Sequence, residues 1–169
     1  MDKVQELKSE GHSCLVFTQF RTVLDLIETQ FDDLDMSFFR LDGTTPVKKR
    51  RDIINAFQEG EEPAVFMISL KAGGLGLNLT KASYVFLLDP WWNPAVENQA
   101  TDRAHRIGQT QKVFVSRLIM HHTVEEKMMT LKEKKSHLFD KVMAYGLKQY
   151  QNLKLTKEDF DFLLDPKGE

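Results

Sequence analysis

Ala64-Val65-Phe66-Met67-Ile68 runs without a single polar side chain, the pattern of a strand covered on both faces. Tyr84-Val85-Phe86-Leu87-Leu88 has the same character, and Leu15-Val16-Phe17, introduced by Cys14, is a shorter version. Met36-Ser37-Phe38-Phe39-Arg40-Leu41 predicts another strand, closing on the Asp42-Gly43 turn. Val113 to Ile119 predicts a further one, whose stronger alternation places it nearer an edge. Between these runs the spacing turns helical. Phe20, Val23, Leu24, Ile27 and Phe31 make one apolar stripe, and Thr45-Pro46 opens a helix with Val47, Ile54 and Phe57 on its inner side. Residues 1–11 read as the end of a helix carrying Val4 and Leu7 and stopped by Gly11. Strands alternating with helices imply right-handed βαβ units: an α/β fold, doubly wound, with a mainly parallel sheet and helices on both faces. Ligands of such sheets gather at the carboxyl ends of the strands. Polar motifs follow those ends here: Thr18-Gln19, Asp42-Gly43-Thr44, Ser69 to Asn78, and Asp89 to Asn93.

The tail has a different organisation, so the chain divides into an α/β unit over 1–122 and a helical extension over 123–169. Thr123-Val124-Glu125-Glu126 has the form of a capping box. The helix behind it carries Val124, Met128, Leu131, Leu138 and Val142 on one stripe and Lys127, Lys132, Lys134 and Lys135 on a face that reads as solvated. Gly146 ends it, and Thr156 caps a short last helix with Phe160, Leu163 and Leu164, stopped by Asp165-Pro166.

The 169 residues, 41% hydrophobic and 28% charged, fit one globular domain. No apolar run approaches the roughly 20 residues that span a bilayer, no signal segment opens the chain, and no membrane partner is expected. Cys14 is the single cysteine, which excludes an internal disulfide or a multi-cysteine metal site; it reads as a buried thiol in an intracellular protein. A net charge of −2 argues against nucleic-acid binding by bulk electrostatics. Any contact with DNA would be a local groove of donors.

Gln99-Ala100-Thr101-Asp102-Arg103-Ala104-His105-Arg106-Ile107-Gly108-Gln109 carries the chemistry. Asn93-Pro94 predicts a helix start and Gly108 its stop. On one continuous helix Gln99, Arg103 and Arg106 would share a face. Two guanidiniums and an amide make a clamp matched to phosphate oxygens. The competing reading is a solvated face whose arginines pair with Glu97 or Asp102.

The glycine-rich run Ser69-Leu70-Lys71-Ala72-Gly73-Gly74-Leu75-Gly76-Leu77-Asn78 permits close approach of backbone to a phosphate or ribose. It is not a Walker loop: no G-x-x-x-x-G-K-[ST] occurs, and no acidic box for magnesium is present. Arginines suited to charge on a transferred phosphoryl group, without residues to cradle the triphosphate, describe half an active site. The chain alone is expected to be inactive as an ATPase.

QATDRAHRIGQ resembles the last motif of superfamily-two helicases, in the wording of the Swi/Snf-type DNA translocases. The resemblance runs from about Leu15 to Val142. Leu15 to Phe20 is similar to the motif that begins the second lobe of that family, and Leu41-Asp42-Gly43-Thr44 with Arg50 to its DGST…R segment. Ser69 to Thr80, Asp89-Pro90-Trp91-Trp92-Asn93-Pro94 and Gln99 to Gln109 match the later motifs. The resemblance implies a RecA-like second lobe, lacking its own Walker motif and excised from a polypeptide whose first lobe holds ATP with Mg2+. Gln99, Arg103 and Arg106 would face that ATP as catalytic residues, with Gly76 near the nucleotide. Thr18, Gln19, Gly43, Thr44, Arg50, Ser69, Lys71, Gly73 and Gly74 would lie towards the backbone of double-stranded DNA. Trp92 and Asn93 would couple the two ends of the lobe, and the helix from Thr123 would brace it against the first lobe. Lys81 and Ser83 depart from the family's usual small residue and acid. The implied function is the second motor lobe of an ATP-dependent DNA translocase, monomeric in isolation, acting in the nucleus of a eukaryote or the nucleoid of a bacterium. The alternatives are a strand-separating helicase or RNA-dependent ATPase lobe, and a non-catalytic α/β interaction module.

Overall fold

Parallel pairing builds the sheet in the computed structural model, which describes residues 1–70, 72, 77–91, 94–133 and 156–165. Its strands are β1 (Ser13–Thr18), β2 (Phe38–Leu41), β3 (Val65–Ser69), β4 (Ala82–Leu87) and β5 (Phe114–Arg117), in the order β2-β3-β1-β4-β5. Every neighbouring pair is parallel; Leu15, for instance, stands between Phe66 of β3 and Val85 of β4. The helices of the α/β unit are α1 (Asp2–Ser9), α2 (Arg21–Asp33), α3 (Val47–Glu59) and α4 (Pro94–Thr101).

The chain leaves β1 for the far edge, returns to β3, then crosses β1 to reach β4 and β5. Right-handed crossovers therefore put α2 on one face and α3 and α4 on the other. Alternating strand residues agree. Cys14, Val16, Val65 and Met67 pack with Leu7, Leu24 and Phe31 on the α1–α2 side. Leu15, Phe17, Phe66 and Ile68 pack with Phe57, Ala100 and Ala104 on the α3–α4 side. Phe57 and Phe66 meet at 5.1 Å between ring centroids, with Phe39 edge-on to both. Fully burying one such ring contributes about 2–3 kcal/mol. Cys14 is buried as expected, and its thiol is pushed up to about 11 by burial. β5 is exposed along its length, as an edge strand.

Several local expectations are corrected. β2 begins at Phe38 because the Met36 N–H caps α2 by donating to Phe31 O, after Asp35 turns the chain at positive φ. Phe20 stands at the N-cap of α2, half exposed and off the apolar stripe. Val47 is 80% exposed: the first turn of α3 is held by Arg50, whose Nε donates to Thr45 O, not by apolar packing.

Residues 124–133 are helical (α5), and α6 spans Lys157–Leu164. The Thr156–Asp159 capping box forms at α6 as expected. At α5 neither bond of the expected box forms, and each partner is displaced by one residue. Thr123 Oγ1 accepts from the Glu125 N–H, while Glu126 takes the N–H of His122. Leu131 is buried on the inner stripe of α5, whereas Val124 is nearly half exposed. Lys127 Nζ donates to Asp165 O. Lys132 is buried, contrary to a solvated lysine face. Leu138, Val142, Lys134, Lys135 and Gly146 lie outside the described residues.

Candidate functional site

The carboxyl ends of β1 to β4 share one rim, and polar side chains organise it. Where β1 meets β4, the Thr18 hydroxyl donates to Asp89 Oδ1 and the Gln19 N–H donates to both Asp89 oxygens at 3.0 and 3.2 Å. The Phe20 N–H donates in turn to Thr18 Oγ1 at 3.1 Å. Thr18 is 0% exposed, so its hydroxyl faces Asp89 rather than solvent. Gln19 is half-buried.

At the end of β2, Asp42 is the centre of a tight turn. Its Oδ1 accepts the Thr44 N–H at 2.8 Å and the Thr44 hydroxyl at 2.6 Å, and its Oδ2 accepts Arg40 Nε at 3.1 Å and Nη2 at 2.8 Å. The Asp42 N–H donates to Thr45 Oγ1, and the Thr45 N–H returns to Asp42 O. Arg40 also bonds Asp25 and Glu28. Burial opposes the charge on Asp42, but the Thr44 hydroxyl, the Arg40 guanidinium and the Thr44 N–H outweigh it and pull the carboxyl down to about 2. Gly43 is exposed, with open space where a Cβ would stand. Nothing within the described residues requires glycine there.

A pH dependence follows. A carboxyl whose folded pKa lies below its ordinary value of 3.8 stabilises the fold above that value and loses the contribution as pH falls towards 2. The shift corresponds to about 2 kcal/mol. Urea midpoints of the wild type and Asp42→Asn are expected to differ most above pH 5 and to converge by pH 2. A difference independent of pH would contradict this.

At the end of β3, Ser69 is buried and its Oγ accepts the Ala72 N–H at 3.3 Å. Lys71, Gly73, Gly74, Gly76, Trp92 and Asn93 lie outside the described residues, as does the side chain of Gln99.

The arginine segment departs from the expected single helix. α4 ends at Thr101, and residues 102–108 form successive turns. The reason is tertiary. Arg103 O accepts the Leu79 N–H at 2.9 Å, so it is engaged outside the helix. The Gln109 amide then donates to Thr80 O, Ala82 O and Ala104 O at 2.9–3.2 Å, fastening the segment to the start of β4. Gly108 does adopt the left-handed backbone, at φ +102. Arg103 and Arg106 therefore share a turn, not a helical stripe.

Arg103 is 6% exposed, and its Nε has no hydrogen-bond partner among the described residues. Burial, and then the neighbouring charge of Arg106, push its pKa down, and Asp102 offsets this only in part. Arg106 is exposed, with Nη1 donating to Leu77 O at 3.2 Å. Asp102, Arg103, His105, Arg106 and Ile107 line an open depression of about 440 Å³. Two adjacent guanidiniums, one of them desolvated with an unsatisfied donor, favour an anion that brings its own acceptors.

Glu97 does not pair with these arginines. Its buried carboxylate takes Lys132 Nζ, Arg117 Nε at 3.2 Å and the Trp91 N–H at 2.8 Å. The roles of Asp89 and Arg117, and this use of Glu97 and Lys132, have no signature in the sequence. Their partners stand 20 to 71 positions apart, and no local spacing reports such distances. Among the described residues, no group of acids, histidines or cysteines could hold a metal ion.

Residues 1–108 match the helicase conserved C-terminal domain. The chain is 41% identical to the DNA repair protein rad8 of Schizosaccharomyces pombe over 91% of its own length and 14% of that protein. It is 43% identical to the DNA repair protein RAD5A of Arabidopsis thaliana (82% of this chain, 13% of that one) and 42% identical to the human chromatin-remodeling ATPase INO80 (94% and 10%). It thus spans about a tenth to a seventh of these relatives. A crystal structure of the C-terminal part of the Fun30 ATPase domain superposes with a TM-score of 0.73 at 34% identity, covering 95% of this chain and 46% of that one.

Proposed function

Because the chain belongs to the helicase conserved C-terminal domain family, as the RecA-like second lobe of a Swi/Snf-type member, we propose that it works as the second motor lobe of an ATP-dependent double-stranded DNA translocase. The observation that carries the proposal is Arg103: a buried guanidinium, one donor unsatisfied, beside exposed Arg106 at the rim of an open depression. That pair fits the phosphates of a nucleotide presented by a facing lobe. Gln99 and Gly76 join them on the family's pattern. On the family's pattern, the first lobe would hold the triphosphate together with Mg2+.

The other ends of the rim serve the DNA backbone. The Asp42 carboxylate and Arg50 hold the Gly43-Thr44 turn in a fixed shape, and the open space at Gly43 suits close approach of a phosphate. On the family's pattern Gln19, Lys71, Gly73 and Gly74 would join that contact, with Ser69 buried behind them at the end of β3. Thr18 supports it from within, through Asp89. Contacts of this kind grip without reading sequence, as a motor moving along any duplex needs. Trp92 and Asn93 couple the two ends. The relatives named here are eukaryotic and their names speak of DNA repair and chromatin remodelling, which favours a nuclear motor over a bacterial one.

The polypeptide that carries both lobes is the material for the test. Blunt duplex is expected to stimulate its ATP hydrolysis, and the protein is expected to displace a third strand from a triplex without unwinding a forked duplex. Separation of the fork would instead support a strand-separating helicase. No ATP hydrolysis with any nucleic acid would leave an interaction module.

A further inference from the structure

Helix α5 reaches the arginine segment through one buried carboxylate. Glu97, with its side chain 4% exposed, sits in α4 two turns before Arg103. Its Oε1 accepts Lys132 Nζ from α5 and the Trp91 N–H from the loop after β4, and its Oε2 accepts Arg117 Nε from β5. The Lys132 side chain is 8% exposed. Burial, with Arg117 nearby, lowers its affinity for the proton, and Glu97 opposes that effect. Two cations thus converge on one buried anion, Lys132 from within and Arg117 from the exposed edge strand. Such an arrangement is weak evidence for net stability. It is stronger evidence for register, because a carboxylate with every acceptor engaged tolerates little displacement.

We propose that the Lys132–Glu97 contact is a positioning device that transmits the placement of α5 to the turn carrying Arg103 and Arg106. Two features make that turn responsive. It is held by short turn bonds, by Leu79 and by the Gln109 amide rather than by a continuing helix, and Arg103 Nε has no hydrogen-bond partner among the described residues. With Lys132 engaged, α4 cannot shift without breaking a buried bond. With Lys132 withdrawn, Glu97 keeps Arg117 and the Trp91 N–H, so the fold survives while the tie to α5 is lost. The functional half of the proposal rests on the reading of Arg103 and Arg106 as ATP-facing groups.

The test uses the full-length protein and Lys132→Met, which keeps the apolar stem and removes the charge. Amide hydrogen exchange at Leu79, Asp102 and Ala104 is expected to rise about tenfold, the scale of a modest coupling, with amides of β1 and β3 unchanged. The kcat for DNA-stimulated ATP hydrolysis is expected to fall about tenfold at an unchanged KM for ATP. Lys132→Arg, which retains a cation, is expected to restore both. Unchanged exchange in Lys132→Met would overturn the proposal outright. Raised exchange with an unchanged kcat, while Arg106→Ala loses activity, would overturn the positioning role. If Arg106→Ala also hydrolyses normally, the fault lies in the ATP-facing reading.

Discussion

Replacing Arg106 by alanine is expected to reduce DNA-stimulated ATP hydrolysis of the two-lobed protein by about a thousandfold or more, the scale on which arginine fingers act. Its side chain is exposed, and it donates one part-buried bond to Leu77 O. The unfolding free energy should therefore fall by only about 0.5–1.5 kcal/mol, the net worth of an ordinary hydrogen bond. Arg106→Lys should not rescue, because an ammonium lacks the planar fork. Arg103 sharpens the same experiment. It is buried, its Nε is unsatisfied, and burial works against its charge. Methionine there fills much of the volume without an orphaned donor, a defect worth about 1–3 kcal/mol. Arg103→Met is thus expected to match or exceed wild-type stability while losing hydrolysis. That opposition marks a group kept for its ligand and not for the fold. A variant that is less stable yet fully active would remove both arginines from the nucleotide site.

The sheet was legible because buried parallel strands announce themselves in continuous apolar runs; Val65 to Ile68 has no polar residue and lies under both faces of helices. The edge position of β5 was legible from its alternation. Local signals also located Gly108, the Thr156 cap and the buried Cys14. What the sequence concealed is long-range. A 3.6-residue period runs through Gln99, Arg103 and Arg106, but the Leu79 N–H takes the carbonyl of Arg103 and the Gln109 amide pins the turn beyond it. The charge pattern near Lys132 looks like a solvated face, yet Glu97, 35 positions away, draws that lysine inward. Thr18 follows a strand end as a surface donor would, until Asp89, 71 positions on, claims its hydroxyl. In each case tertiary bonds override a correct local preference.

Asp89→Ala is expected to cost about 3 kcal/mol, a large effect for one short polar side chain. Asp89 is buried where β1 meets β4, at the point where the chain begins to build the second half of the sheet. It satisfies the Thr18 hydroxyl and the Gln19 N–H together. Alanine leaves both donors without it, and each unsatisfied buried group costs about 1–3 kcal/mol. Asn keeps one carbonyl acceptor but turns an NH2 towards a donor, so it should recover part of the loss and not all of it. Urea unfolding of wild type, Asp89→Ala and Asp89→Asn gives the three values directly. The same bonds fix Gln19 and Phe20, the first residues on the face assigned to DNA. Asp89→Asn should therefore also weaken DNA stimulation of ATP hydrolysis, although its side chain is buried. Were Asp89→Ala as stable as wild type, the junction of β1 and β4 would owe nothing to this carboxylate, and the supporting role given to Thr18 would fall with it.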